Sequence, residues 1–491
     1  MAYVIPKYRV LWTWDYCVLW DDSYFVRGNG ATGENRRRAY FLADYKRMVD
    51  YSAKLGINGI VIWGALRAHN DGVAQFKELV EYGRQKGVKI LPGIGVFSYG
   101  GIFYDPRAEL NWVTDKPAKN PYSLPSWLND HPEYAAVGPD GKPISMNMFS
   151  TVACPSKKEN LDWFKRAFEW LCDEFKIEGA QIEIGDYAIC HCDDCNKKRT
   201  GGEHSVFMVE DMAEPYEAAY GIAKKSCPDT WIICETYSSF ATPKAADIPG
   251  QFGSALTDLQ KRSLAALPEE AIVQWAMDRA VSFMPTQDWT ETDVPPSKNN
   301  ITRIHHGSQH SLNSVEEWAV HTVGDLVKKT RASGVNGVSI FGEESPASPP
   351  NEANYLIFSE FCGFGNPNPD CDLKLFYKNT LDPLYGGAGM AEEWRRIYLT
   401  AHTMRLNMKA VDACFNIPLA FHHNHHEIGK PDLLDTVRAM SASDKREHTL
   451  RLIREARSIS SKFSGETCRR WTWLENWLWR AEFLYRTTED K

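Results

Sequence analysis

No run of about 18 consecutive apolar residues occurs in the 491-residue chain, so nothing in it reads as a transmembrane helix. There is no excess of basic residues. Lys and Arg together number 56 against 64 Asp and Glu, which gives a net charge of −8. A phosphate backbone or an anionic membrane needs a basic face, so nucleic acid and membrane surfaces are poor partners. The GxxxxGK[ST] phosphate loop, a GxGxxG after a strand, HExxH and the GxSxG elbow are all missing. NTP hydrolysis, dinucleotide-dependent redox chemistry and α/β-hydrolase chemistry therefore lose ground. Cysteine is sparse for a disulfide framework, at 12 residues. Met1–Asp15 has neither a charged leader region nor an apolar one and runs straight into a predicted strand. That fits a cytoplasmic protein, or an exported one whose leader has been removed. No solenoid-length repeat and no low-complexity tail is present. A homo-oligomer is compatible with all of this.

What the chain does have is apolar residues, 43% of the total, and many aromatics: 17 Trp, 21 Tyr and 22 Phe. These can build a large core, and flat sugar faces also stack on Trp and Tyr. Eight short β-rich runs are separated by helical patterns. They are Tyr8–Asp15, Gly59–Gly64, Lys89–Phe97, Gly179–Asp186, Thr230–Tyr237, Ala271–Asp278, Thr302–Gln309 and Gly337–Glu344. Near-continuous apolar runs ending in polar residues are the pattern of buried parallel strands. Eight β-then-α units predict an α/β fold, a (β/α)8 TIM barrel, over residues 1–348, with a doubly wound open sheet as the alternative. The third connection is long, about 98–158, and rich in Pro, Asn, Tyr and Trp. A loop of that length inside a compact domain is usually functional or disordered, and its aromatics favour an ordered cover over the barrel mouth. After the Pro-rich break SPASPPNEAN the pattern is mostly helical. Residues 349–491 are assigned to a C-terminal α-helical domain, in which Trp471, Trp473, Trp477 and Trp479 are expected to pack against the barrel.

The densest chemistry lies in Gly179–Cys195, GAQIEIGDYAICHCDDC. A strand carries Glu183 and Asp186 to its C-terminal end, and Cys190, Cys192 and Cys195 follow as Cys-x-Cys-x-x-Cys. Three thiols at this spacing suit one tetrahedral ion, and zinc prefers such sulfur ligands. Cys154, at the end of the long third connection, is the preferred fourth ligand, ahead of His191. A site with four protein ligands is structural; free thiols or a disulfide are the alternatives. Four further histidines, His422, His423, His425 and His426, read as a solvated turn.

Glycosidic cleavage usually takes two carboxylates, one to protonate the leaving oxygen and one to attack or to activate water. In a barrel both come from strand ends or the loops that follow. Catalytic candidates are Glu183, Asp186, Glu235, Glu343 and Glu344; each could instead form a salt bridge or a cap. Alternation points Gln181 and Glu183 into the barrel and turns Ile182 and Ile184 to the helices. It does not choose between Glu343 and Glu344. Asp15, Trp63, Arg67, Tyr237, Trp275, Asp278, His305 and His306 would suit a sugar pocket, with packing or a structural hydrogen bond as the plain alternative for each.

The segment QIEIGDYAICHCDDC together with Cys154 resembles the barrel glycoside hydrolases of family 42, the β-galactosidases. In these, a strand-4 Asn-Glu acid/base precedes a Cys-x-Cys-x-x-Cys zinc cluster completed by an earlier Cys. The resemblance implies a zinc site in a glycosidase barrel. A glycine, Gly185, stands where that family's acid/base would be, so the role is not carried over. The plan of a barrel with a helical tail is similar to family 20 hexosaminidases and family 67 glucuronidases, in which a segment after the barrel resembles Asn354–Pro367. Together these features predict a glycosidase acting on an oligosaccharide or glycoside, with structural zinc and no organic cofactor. A non-catalytic carbohydrate-binding barrel and a zinc-dependent hydrolase or lyase are the rivals.

Overall fold

The computed structural model describes residues 4–15, 18, 20, 37–66, 72–98, 100–103, 120–144, 152–183, 190–198, 211, 213–235, 267–275, 298–304, 318–341, 346–365, 368–406, 436–437 and 439–488. Eight parallel strands close into one barrel in chain order. They are β1 Tyr8–Trp14, β2 Gly59–Trp63, β3 Lys89–Gly95, β4 Gly179–Glu183, β5 Trp231–Glu235, β6 Ile272–Trp275, β7 Asn299–Ile304 and β8 Gly337–Phe341. Closure is made by β1 pairing with β8, Tyr8 opposite Gly337 and Trp12 opposite Phe341. The closed (β/α)8 barrel predicted from the sequence is therefore present, and the open-sheet alternative is not.

The two-residue period divides each strand between two cores. Leu11, Ile60, Ile62, Ile90, Ile94, Ile182, Ile232, Val338 and Ile340 turn outward into the layer shared with the helices. Val10, Trp12, Val61, Trp63, Leu91, Ile233, Ile272 and Ile301 turn inward and pack the lumen. The seventh strand starts at Asn299, three residues before the predicted Thr302. Its polar start is explained by side-chain pairing: Asn336 Nδ2 donates to Asn299 Oδ1 at 2.8 Å, and Asn300 N donates to Asn336 Oδ1 at 3.0 Å. An apolar-run criterion cannot see strand residues satisfied in that way.

The outer layer contains α1 Arg37–Lys54, α2 Gly72–Lys86, the short α3 Leu124–Asp130 in the third connection, α4 Lys158–Phe175, the short α5 Asp193–Lys198, α6 Ala213–Ser226, α7 Val320–Ala332 and α8 Pro349–Phe361. The last of these belongs to the stretch assigned to the C-terminal domain, yet it packs on both α7 and α1. Asn354 Oδ1 accepts from Ala319 N at 2.8 Å, Ser359 Oγ donates to Leu55 O at 2.6 Å, and Tyr355 meets Tyr51 edge-on.

The remaining helices are α9 Leu373–Phe376, α10 Asp382–Tyr385, α11 Met390–Leu406, α12 Ala442–Ser460 and α13 Gly465–Thr488. A capping box at Ser441 and Asp444 starts α12. The tail is joined to α8 by Arg470, whose guanidinium forks onto Glu352 at 2.8 and 2.6 Å. The tryptophans of α13, expected to pack against the barrel, find their described partners among helices of the C-terminal stretch. Trp471 Nε1 donates to Tyr385 O, Trp473 faces Trp394 and Trp477 faces Tyr398, so α10 and α11 receive them. Trp479 lies on the outer side, 37% exposed. No helix among the described residues is long and apolar enough to cross a membrane.

Candidate functional site

The strand register decides which polar residues share the lumen. Glu183 is directly opposite Glu235 across the β4–β5 pair, and Glu235 is opposite Gln274 across β5–β6. Cα atoms on neighbouring strands are about 4.8 Å apart, so the two glutamates are immediate neighbours near the C-terminal end of the barrel. Both are nearly closed off from solvent, Glu183 at 5% and Glu235 at 1% exposure.

A connected polar group lies at this level. The Trp12 and Trp63 indole N–H groups both donate to Gln181 Oε1, at 2.7 and 2.8 Å. Gln181 Nε2 donates to Glu235 Oε2 at 3.0 Å, and Gln274 Nε2 donates to the same oxygen. Arg303 reaches Glu235 Oε1 at 3.4 Å and lies over the Trp12 ring, 5.1 Å from its centroid. A charge this deeply buried needs a partner and hydrogen bonds, and Glu235 has both.

Trp12, Trp14 and Trp63 form an aromatic wall beside the carboxylates, with Trp14 set edge-on to Trp12 at 5.7 Å. Trp14 is half-buried, while Trp12 and Trp63 are buried. Gly93 on β3 makes room for Trp63: a Cβ there would lie 2.3 Å from its Nε1. Gly93→Ala is expected to push the indole off Gln181 and to cost about 1–3 kcal/mol, the usual penalty for overpacking. Thermal melting and the Trp63 indole N–H resonance would check this. An unchanged resonance would show that the glycine is not needed for the contact.

The metal candidates also converge. Cys154, Cys190, Cys192 and Cys195 present their sulfurs within 4.8 Å of one another. Cys154 Sγ is 3.6 Å from both Cys192 Sγ and Cys195 Sγ. With Zn–S bonds of about 2.3 Å, tetrahedral thiolates stand about 3.8 Å apart, so the donors and their spacing fit such an ion. The long connection supplies the scaffold. Cys154 N donates to Tyr134 O at 3.0 Å, Asn160 Nδ2 donates to Tyr134 O and Cys154 O, and Val137 N donates to Cys190 Sγ at 3.5 Å. Hydrogen bonds from Cys154 and Cys195 lower the Cys190 pKa to about 3, while Cys190 and Cys195 push the Cys154 thiol up. The connection is ordered by aromatics where it is described: Tyr122 stacks on Trp170, and Trp127 on Tyr134 and Trp163.

Of the residues singled out from the sequence, Asp15 is buried at the end of β1, and its N–H donates to Trp63 O at 2.7 Å. The Trp275 backbone belongs to β6. Asp186, Arg67, Tyr237, Asp278, His305, His306, Glu343 and Glu344 lie outside the described residues, as do His422, His423, His425 and His426. Gln274 and Arg303 were not picked out. For Gln274 the signal was available, since it is the lone polar residue of the apolar strand IVQW; Arg303 lies in the polar strand NNITRI, where it does not stand out.

No protein-family model matches the chain, and no curated protein matches it. Among solved structures, it is similar to a glycoside hydrolase of family 138 targeting pectin rhamnogalacturonan II. That match has a TM-score of 0.51 at 9% identity and covers 99% of this chain and 58% of the other. The chain thus spans a little over half of that protein. It is also similar to an α-amylase from Geobacillus thermoleovorans, with a TM-score of 0.39, 11% identity, and 72% and 77% of the two chains covered. A β-N-acetylhexosaminidase from Bacteroides fragilis gives 0.40, 12%, 77% and 70%. At these identities the likeness is one of fold, a TIM barrel of the kind that glycoside hydrolases use.

Proposed function

We propose that the protein is a glycoside hydrolase whose carboxylates at the barrel mouth cleave a glycosidic bond in an oligosaccharide or glycoside. The observation that carries this reading is the register of Glu183 beside Glu235 on the lumen face of β4 and β5. Two neighbouring carboxyl groups in different environments are what acid/base division of labour requires. Glu235, with two amide donors on Oε2 and Arg303 paired at Oε1, suits the ionised member; Glu183 suits the proton carrier. Asp186 is the other candidate for the acid, and Glu343 or Glu344 for the partner. Trp14, Trp63 and Asp15, with Arg67, Tyr237, Trp275, Asp278, His305 and His306, are the proposed sugar contacts. The glycoside hydrolase barrels with the same fold support the reaction class.

Zinc is the proposed metal, held by Cys154, Cys190, Cys192 and Cys195. Four sulfur ligands fill a tetrahedron and leave no open position, which supports a structural ion over a zinc-dependent hydrolase or lyase. The ion would tie the connection before α4 to the segment that follows β4. The cysteine spacing shared with family 42 supports the same assignment.

A second reading is a carbohydrate-binding barrel without turnover. The burial of Glu235 and its pairing with Arg303 favour it, since such a pair can simply fill the lumen. A panel of aryl glycosides and pectic, amylose-type and N-acetylhexosamine oligosaccharides separates the two. The hydrolase reading expects release of reducing sugar from at least one member. Calorimetric binding with no release from any member would favour the second reading and sink the first.

A further inference from the structure

We infer that Gln181 is a positioning residue for Glu235, and that Trp12 and Trp63 dictate which way its amide points. An indole N–H donates and cannot accept. Both indoles meet the same Gln181 oxygen, at 2.7 and 2.8 Å. A flipped amide would set an NH2 group against two donors in a buried site. The amide nitrogen is therefore committed to the other side, where Glu235 Oε2 lies 3.0 Å away. Gln274 donates to that same oxygen, and Arg303 flanks the other at 3.4 Å. The carboxylate plane is thus fixed from three strands at once. Gln181 is itself fully buried, so it acts through Glu235 and not on substrate.

The charged and titratable groups around the Gln181–Glu235 contact among the described residues are Glu183, on the strand of Gln181, and Arg303 of β7, which pairs with Glu235. From β1, β2 and β3 Gln181 meets Trp12, Trp63 and Gly93, and Gln274 of β6 shares Glu235 Oε2 with it; none of these titrates.

The activity arm of the test rests on the glycosidase reading; the spectroscopic arm does not. Gln181→Met keeps the bulk and removes the amide. It should fold, shift the Trp12 and Trp63 indole N–H resonances, and make Glu235 protonate at higher pH in a 13C-glutamate titration. Turnover should fall on the order of 100-fold with KM within about threefold, the scale of a misplaced reacting group. Gln181→Glu is nearly isosteric. Protonated, its carboxyl group can accept from both indoles and donate O–H to Glu235; ionised, it opposes Glu235. Its activity should climb towards the parent's as pH falls, along a limb displaced to lower pH than the parent's own. A Glu235 titration unchanged in Gln181→Met overturns the inference, and so does a parent-like pH profile in Gln181→Glu. Should Gln181→Met not fold, the Glu235 titration and pH profile of Gln181→Glu carry the test alone. If the wild-type protein hydrolyses no glycoside, the hydrolase reading fails, and the Glu235 titration still decides the positioning role.

Discussion

Glu183→Gln should lose about 10³-fold in kcat while keeping its fold. General acid–base catalysis by a positioned carboxyl group contributes typically 10²–10⁴-fold, or about 3–5 kcal/mol of barrel-mouth chemistry. The substitution keeps the shape of the side chain and its place on the inward face of β4, where it is directly opposite Glu235. It removes only the exchangeable carboxyl proton. The variant should therefore melt within about 3 °C of the parent, a shift worth roughly 1 kcal/mol in a large domain. Substrates whose leaving groups need no protonation, such as activated aryl glycosides, should lose far less than natural glycosides, because the acid is then dispensable. Steady-state rates on both substrate classes, with a melting curve beside them, make the comparison. Undiminished turnover of natural glycosides by the variant would remove Glu183 from the acid role and leave Asp186 as its successor.

The barrel was readable because all strands but the seventh are largely apolar runs, and because the period of two sorts such a run into two faces. Ile182 went to the helices and Gln181 and Glu183 to the lumen, as alternation requires. The cysteine set was readable for a different reason: close spacing makes thiols neighbours whatever the fold, and only Cys154 had to be supplied by topology. The clasp around Glu235 was harder. It depends on which residue of β5 stands level with which residue of β4, β6 and β7, and register across strands far apart in the chain leaves no trace in local pattern. Arg303 was not singled out, and it is the ion-pair partner of Glu235. The destination of the α13 tryptophans was hidden likewise. A helix rich in Trp announces burial, but not whether strands or other helices provide it.

Stripping the proposed zinc should cost more stability than any single substitution considered above. An ion that binds the folded chain and not the unfolded one stabilises by about 4 kcal/mol at a thousandfold excess over its Kd, and structural zinc sites commonly exceed that. Four sulfurs within 4.8 Å join segments that no strand pairing connects: Cys154 ahead of α4, and Cys190 to Cys195 beyond the end of β4. Stripping with a chelator strong enough for thiolate sites should lower the melting temperature by roughly 8–16 °C, at about 2–4 °C per kcal/mol. Cys195→Ser should do the same and bring the bound metal, measured by elemental analysis, from one equivalent to near none. Cys172→Ser is the control. That thiol is buried on α4 outside the cluster and is pushed up to about 12 by burial, so its loss should leave metal content intact. Rate and stability should fall together, because the segment released begins a few residues after Glu183. A rate that vanished with melting unchanged would identify a catalytic ion instead. A chain that bound no metal and ignored the chelator would return the four cysteines to the status of packed thiols.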